Sequence, residues 1–119
     1  MAKNMQVALL YDFYSEILTD KQRDMIEQYY HQDLSLSEIA ENEGVSRQAV
    51  RGAVKRAEEL LFEMEARLGL AARLTETRTA LKAILSSADI IRKENEAFSG
   101  PKEIEEEALR IASLAAKLI

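Results

Sequence analysis

Arg47, Gln48, Arg51 and Lys55 recur at the spacing that gathers side chains onto one side of a helix, with Arg56 beside them. These side chains can do one kind of chemistry well. A guanidinium pairs in two-pronged fashion with the guanine edge, and a glutamine amide does the same with adenine. A lysine ammonium or a further arginine neutralises phosphate and sets orientation without reading bases. Ser46, directly ahead of them, is a strong N-cap, so the free amides at that helix start would also hold a phosphate. The candidate nucleic-acid contacts are therefore Ser46, Arg47, Gln48, Arg51, Lys55 and Arg56.

The element that must carry them is written in the segment Ser35–Arg56, SLSEIAENEGVSRQAVRGAVKR. Ser35 followed by Glu38 is a capping-box pattern that opens a first short helix, with Ser37 as a competing cap. Ala40 is small enough for two helices to cross closely. Gly44 falls where the first helix must end in a left-handed conformation. Val45 then plugs the gap, Ser46 caps the second helix, and Val50, Ala53 and Val54 face inward. That order of small, glycine, cap and apolar residues predicts a helix-turn-helix. Two residues depart from the pattern. Glu43 stands where such motifs usually bury an apolar side chain, so its stem is expected along the core with the carboxylate at the rim. Gly52 interrupts the reading helix, at a cost of about 1 kcal/mol relative to alanine.

Composition narrows the alternatives. The chain has 119 residues, of which 47% are apolar, a single proline and four glycines. Strand-like alternation is nearly absent and good helix formers dominate, so the class is all-α. Cysteine is absent, which excludes disulfides and thiolate chemistry. The only histidine, His31, is expected at a solvated helix end; no second ligand accompanies it at metal spacing. No nucleophile stands beside a base, and neither a catalytic residue, a metal nor a cofactor is expected. The stretch VALLYDFYSEIL is interrupted by Asp12 and Glu16 and reads as neither signal peptide nor membrane span. A cytoplasmic protein without membrane attachment is the expectation.

The formal charge of −5 argues against a general polyanion binder, but its distribution matters more. Residues 46–57 carry Arg47, Arg51, Lys55 and Arg56 and no acid; Glu58, Glu59, Glu63 and Glu65 follow at once with no base among them. A local basic face on an acidic body fits docking through one helix.

Around this segment the apolar periodicity predicts further helices. One covers about residues 4–18, with a stripe of Leu9, Leu10, Phe13, Tyr14, Ile17 and Leu18. Thr19 and Gln22 form a second capping box, opening a helix over about 20–31 that buries Met25, Ile26, Tyr29 and Tyr30. Val50, Val54, Ala57, Leu61, Met64 and Leu68 make a heptad-like seam that ends at Gly69. A long segment over about 70–97 and a last helix beyond Ser99-Gly100-Pro101 complete the chain. The expected division is a helix-turn-helix domain over 1–68 and a C-terminal helical segment over 69–119. The latter has apolar faces that need partners, and homodimerisation through it is expected.

The block from Leu18 to Leu61 resembles DNA-binding region 4 of bacterial sigma factors. More closely, the chain is similar to the YlxM family of small bacterial helix-turn-helix proteins. The shared pattern runs from Phe13 to Gln22, from Tyr29 to Ala40 and from Gly44 to Val50; it is dense over residues 9–62. The resemblance implies a non-enzymatic DNA-binding or regulatory protein. It also implies a link to the signal recognition particle pathway, since genes of that family neighbour those of its components. Double-stranded DNA is thus the expected partner, with RNA left open by the residues. The alternative is an adaptor for the RNA or protein of the signal recognition particle.

Overall fold

Side-chain caps decide where the helices begin in the computed structural model, which describes residues 3–119. Asn4 accepts from the Gln6 amide at the start of α1, Met5–Tyr14. Thr19 Oγ1 accepts from the Gln22 amide (3.1 Å) while Gln22 Oε1 accepts from that of Thr19 (2.9 Å), opening α2, Asp20–Ile26. The same reciprocal pair joins Ser35 and Glu38 at the start of α3, Leu36–Glu43, so Ser35 and not Ser37 is the cap. Ser46 Oγ accepts from the Ala49 amide (3.0 Å) and opens α4, Arg47–Leu68. Gly44 (φ 67°) ends α3 and Gly69 (φ 64°) ends α4, both left-handed. The long helices α5, Leu70–Ala97, and α6, Lys102–Leu118, follow. There is no strand among the described residues, and the protein is all-α.

The chain divides into two units, the first ending at Ala71 and the second running from Ala72 to Ile119. In the first, α1, α2 and α3 each pack against α4. The seam they share is Val50, Val54, Ala57 and Leu61, all fully buried. Val7, Leu10, Tyr11 and Tyr14 cover it from α1, Met25 and Ile26 from α2, and Leu36, Ile39 and Ala40 from α3. Farther along α4 the seam opens, and Leu68 is exposed.

Two expectations need correction here. The first helix does not run to residue 18: it ends at Tyr14 and tightens into a single 3-10 turn, Ser15–Ile17. Its buried face is also rotated from the expected stripe, because Val7 and Tyr11 point inward while Leu9 and Ile17 are exposed. The segment after Thr19 is likewise not one regular helix. Past Ile26 it widens into a π turn, Glu27–His31, closed by the Gln32 amide donating to the Glu27 carbonyl (3.0 Å). That turn carries Tyr29 and Gln28 inward and leaves Tyr30 half-buried.

The glutamates expected as a solvated run have a second use. Tyr11 donates to Glu27 (2.7 Å), Tyr30 to Glu58 (2.7 Å) and Tyr14 to Glu65 (2.6 Å). Glu65 also accepts from the Ala71 amide (3.1 Å), and the Tyr14 oxygen accepts from the Leu70 amide (3.1 Å), tying down the backbone just after Gly69. Each bond lets a tyrosine ring enter the core with its hydroxyl satisfied. Among the described residues no buried side-chain polar atom lacks a partner.

The second unit is a hairpin of α5 and α6. At its turn the Asn95 amide group donates to the Pro101 carbonyl (3.0 Å), and Ser99 adopts a positive φ of 50°. Only alanines, Ala88, Ala108 and Ala115, are buried in it. None of the helices among the described residues is long and apolar enough to cross a membrane.

Two outcomes are expected. At Gly44 nothing lies within 4 Å of where a Cβ would sit, so Gly44→Ala meets only the left-handed backbone cost. It should lower unfolding stability in urea by about 1–2 kcal/mol. Burial, followed by the bond to Glu27, pushes the Tyr11 hydroxyl up to about 12 from its usual 10.0. Burial and the bond to Glu58 raise Tyr30 in the same direction. The neutral hydroxyl is favoured by folding, so the contribution is complete below pH 10.0 and is lost as pH rises through about 12. Urea unfolding should weaken across that window, and Tyr11→Phe should flatten the dependence.

Candidate nucleic-acid interface

The α3–turn–α4 pair holds its geometry through apolar contacts and one polar strap. Val45, half-buried, packs beside the core between the two helices, and the backbone amide of Val45 donates to the Ala40 carbonyl (3.1 Å). Glu43 is half-buried, and its carboxylate accepts from the Gln28 amide group (2.8 Å). Gln28, 9% exposed, in turn accepts from Asn42 (3.2 Å). The departure from an apolar residue at position 43 is therefore matched by a polar residue from the π turn. α3 is anchored to the preceding element at its C-terminal end.

With Val50, Val54 and Ala57 facing the core, the opposite side of α4 is turned to solvent. Ser46, Arg47, Gln48, Arg51, Lys55 and Arg56 are all exposed, with Arg47 at the α3 edge of this surface, where it lines a shallow cleft with Lys3, Asp33, Ser35 and Glu38. Among the described residues none of the four cations has an acidic partner within 4.0 Å. Elsewhere in the unit Arg23 pairs with Asp20 and Arg67 with Glu63. Ser46 is occupied as the cap, its hydroxyl committed to Ala49.

Arg56 leaves this row sideways. Its guanidinium folds back along the helix, with Nη1 3.3 Å from where a Cβ on Gly52 would lie. The missing side chain at 52 thus gives room to a cation. Arg56 also lines a cleft of about 300 Å³ together with Thr19, Lys21, Gln22 and Val45. Lys21, exposed in the first turn of α2, is the cation that sequence reasoning missed. Its position in a helix start was legible; that α2 packs against α4 was not.

Other titratable groups do not converge. His31 is exposed and meets Tyr11 edge-on, with ring centroids 5.5 Å apart. Lys3 pairs with Asp33, lowering that carboxyl below its usual range, and lies 4.6 Å from the centre of the Tyr29 ring. Among the described residues no group of acidic, histidine or cysteine side chains is arranged to hold a metal ion.

The fold and this surface define a helix-turn-helix protein whose second motif helix presents an open cationic face. The match to known sequences is specific: residues 1–99 fit the family described as "Putative helix-turn-helix protein, YlxM / p13 like". The chain belongs to that family. It is 44% identical over 108 residues to a UPF0122 protein of Thermoanaerobacter sp. (strain X514), covering 91% of this chain and 92% of the relative. A UPF0122 protein of Symbiobacterium thermophilum is 51% identical over 67 residues, covering 56% of this chain and 63% of the relative. One from Limosilactobacillus reuteri is 52% identical over 68 residues, covering 57% and 60%. The family match extends past residue 62 and takes in all of α5.

Removing the carboxylate at 43 leaves the Gln28 donor buried without its acceptor. Glu43→Ala should cost about 1–3 kcal/mol in chemical unfolding. Combined with Gln28→Leu, the loss should fall clearly short of the sum of the single losses. Additive losses would mean that the strap contributes nothing.

Proposed function

We propose that the protein is a DNA-binding regulator that docks the N-terminal half of α4 in the major groove of duplex DNA. The observation that carries this reading is the row of exposed cations on α4 with no acidic partner, backed by a buried seam that fixes which way they face. Arg47, Gln48 and Arg51 read base edges. Lys55 and Arg56 contact phosphates, with Lys21 beside Arg56 as a further backbone contact. The amides at the start of α4 hold a phosphate against the capped end. A body of net charge −5 repels DNA elsewhere and confines docking to this face. The role is non-enzymatic and cytoplasmic. The protein acts as a homodimer through its C-terminal half, so that two motif helices address a site of matching symmetry.

A second reading keeps the same fold as an adaptor for the RNA or protein of the signal recognition particle, and the acidic balance of the chain favours it over a general DNA coat. Salt separates the two. Four or five phosphate contacts give a log–log slope of about −3 to −5 for duplex binding, whereas an apolar protein contact hardly responds.

Duplexes selected from a random pool, measured by fluorescence anisotropy, provide the test. Arg47→Ala and Arg51→Ala should each weaken the preferred site by about 1–3 kcal/mol relative to random duplex, while Lys55→Ala weakens both alike. Equal losses on both duplexes for every variant would overturn base readout by these residues. Selection of RNA in place of DNA would move the assignment to the second reading.

A further inference from the structure

The hairpin of α5 and α6 cannot enclose its own apolar residues. Its helices bury only Ala88, Ala108 and Ala115, leaving larger side chains uncovered; Ile90, Phe98, Leu109 and Leu114 are exposed around the hairpin, and a further set is regularly spaced. Ile84 and Ile91 are both 46% exposed; Ile104, Ile111 and Leu118 are 43%, 40% and 67% exposed. These are not scattered. Each set repeats every seven residues, so each forms a straight stripe along its helix. The α5 stripe and the middle of the α6 stripe line one groove of about 300 Å³, in which Ile84, Ser87, Ala88 and Ile91 from α5 face Ile111 from α6.

Two features of this face point to its occupant. The first is its symmetry. The α5 stripe is centred between Ser87 and Ala88, the α6 stripe is centred on Ile111, and these centres lie side by side in the groove. A two-fold axis through that level sets Ile84 against Ile91 of a second copy, Ile104 against Leu118, and Ile111 against itself. The second is charge. Near the turn the cations are already engaged: Arg92 and Lys93 with Asp89, Lys102 with Glu106, Arg110 with Glu107. Glu94, Glu96, Glu103 and Glu105 have no ion-pair partner among the described residues. At the opposite end Arg73, Arg78, Lys82 and Lys117 have none either, with Glu76 the lone acid there.

We infer that this face is covered by the same face of a second copy, running antiparallel, so that the two hairpins form a four-helix bundle. Antiparallel pairing brings the free acids near one turn toward the free cations of the other hairpin, with Glu103 of one α6 level with Lys117 of the other. Parallel pairing sets like charges together, and an unrelated partner would have no reason to match a stripe that is symmetric about its own middle. This deepens the homodimer proposed above and rests on it, but not on the identity of the nucleic acid.

The full chain, which has no native cysteine, permits a direct test. At about 1.5 Å rise per residue, Ala97 lies roughly 30 Å from its counterpart in the antiparallel dimer. Ser87 lies within about 10 Å of its own, the distance between packed helices. A short bis-maleimide should link Ser87→Cys into dimers and leave Ala97→Cys unlinked. Sedimentation velocity should find a dimer at micromolar concentration. Ile111→Asp should convert it to a monomer with unchanged helical circular dichroism, since that residue is exposed in the single copy. Lys117→Glu should weaken the dimer, and adding Glu103→Lys should restore it. A monomer across the micromolar range would overturn the pairing and leave the face to another protein. So would linkage through Ala97→Cys but not Ser87→Cys. A monomer that still selects duplex sites would refute only the pairing, while a linked dimer that ignores duplex DNA would refute only the DNA reading.

Discussion

One apolar stripe governs the N-terminal unit. Val50, Val54, Ala57 and Leu61 lie on a single side of α4 and are wholly buried, and α1, α2 and α3 all pack on it. Because a helix has a fixed angular repeat, burying those residues leaves no freedom in where Arg47, Gln48, Arg51 and Lys55 point. The cationic face is thus a geometric consequence of the core. The seam also anchors the buried core, in which full burial of each valine or leucine side chain contributes about 1.5–3 kcal/mol.

The acids that make the chain negative divide into working and free groups. Glu27, Glu58 and Glu65 accept from tyrosine hydroxyls and allow large aromatic surfaces into a small core. Glu43 holds the α3 end to the π turn through Gln28. In the hairpin Asp89, Glu106 and Glu107 pair with cations one turn away, while Glu94, Glu96, Glu103 and Glu105 have no ion-pair partner among the described residues. On α4's outward face the cations have no ion-pair partner among the described residues, so the local potential stays positive on a chain of net charge −5. A salt-bridged face would have been structurally cheaper to hold but useless for an anionic ligand.

Much of the architecture was legible because the signals are local. Reciprocal caps at Thr19–Gln22 and Ser35–Glu38, the serine cap at 46 and the glycines at 44 and 69 are decided within one helical turn, and all are present. What could not be read depends on residues distant in sequence. Tyr11 points inward with its hydroxyl donating to Glu27, sixteen residues on, while Leu9 in α1 and Ile17 in the turn after it are exposed. The π turn follows from packing and leaves no periodic trace. Glu43 read as an exception because Gln28, its partner, is fifteen residues away. Of the candidate contacts, the row on α4 was visible from spacing alone, whereas Lys21 required knowing that α2 lies against α4.

Docking of nucleic acid on the outward face of α4, as proposed above, can be followed residue by residue. Backbone amide shifts of the isotope-labelled full chain, followed by two-dimensional NMR during titration with a selected duplex, test it most directly. Residues 46–56 and Lys21 should move together while residues 102–118 stay unperturbed. Saturable binding that leaves residues 46–56 unchanged, or perturbs only residues 72–119, would contradict it.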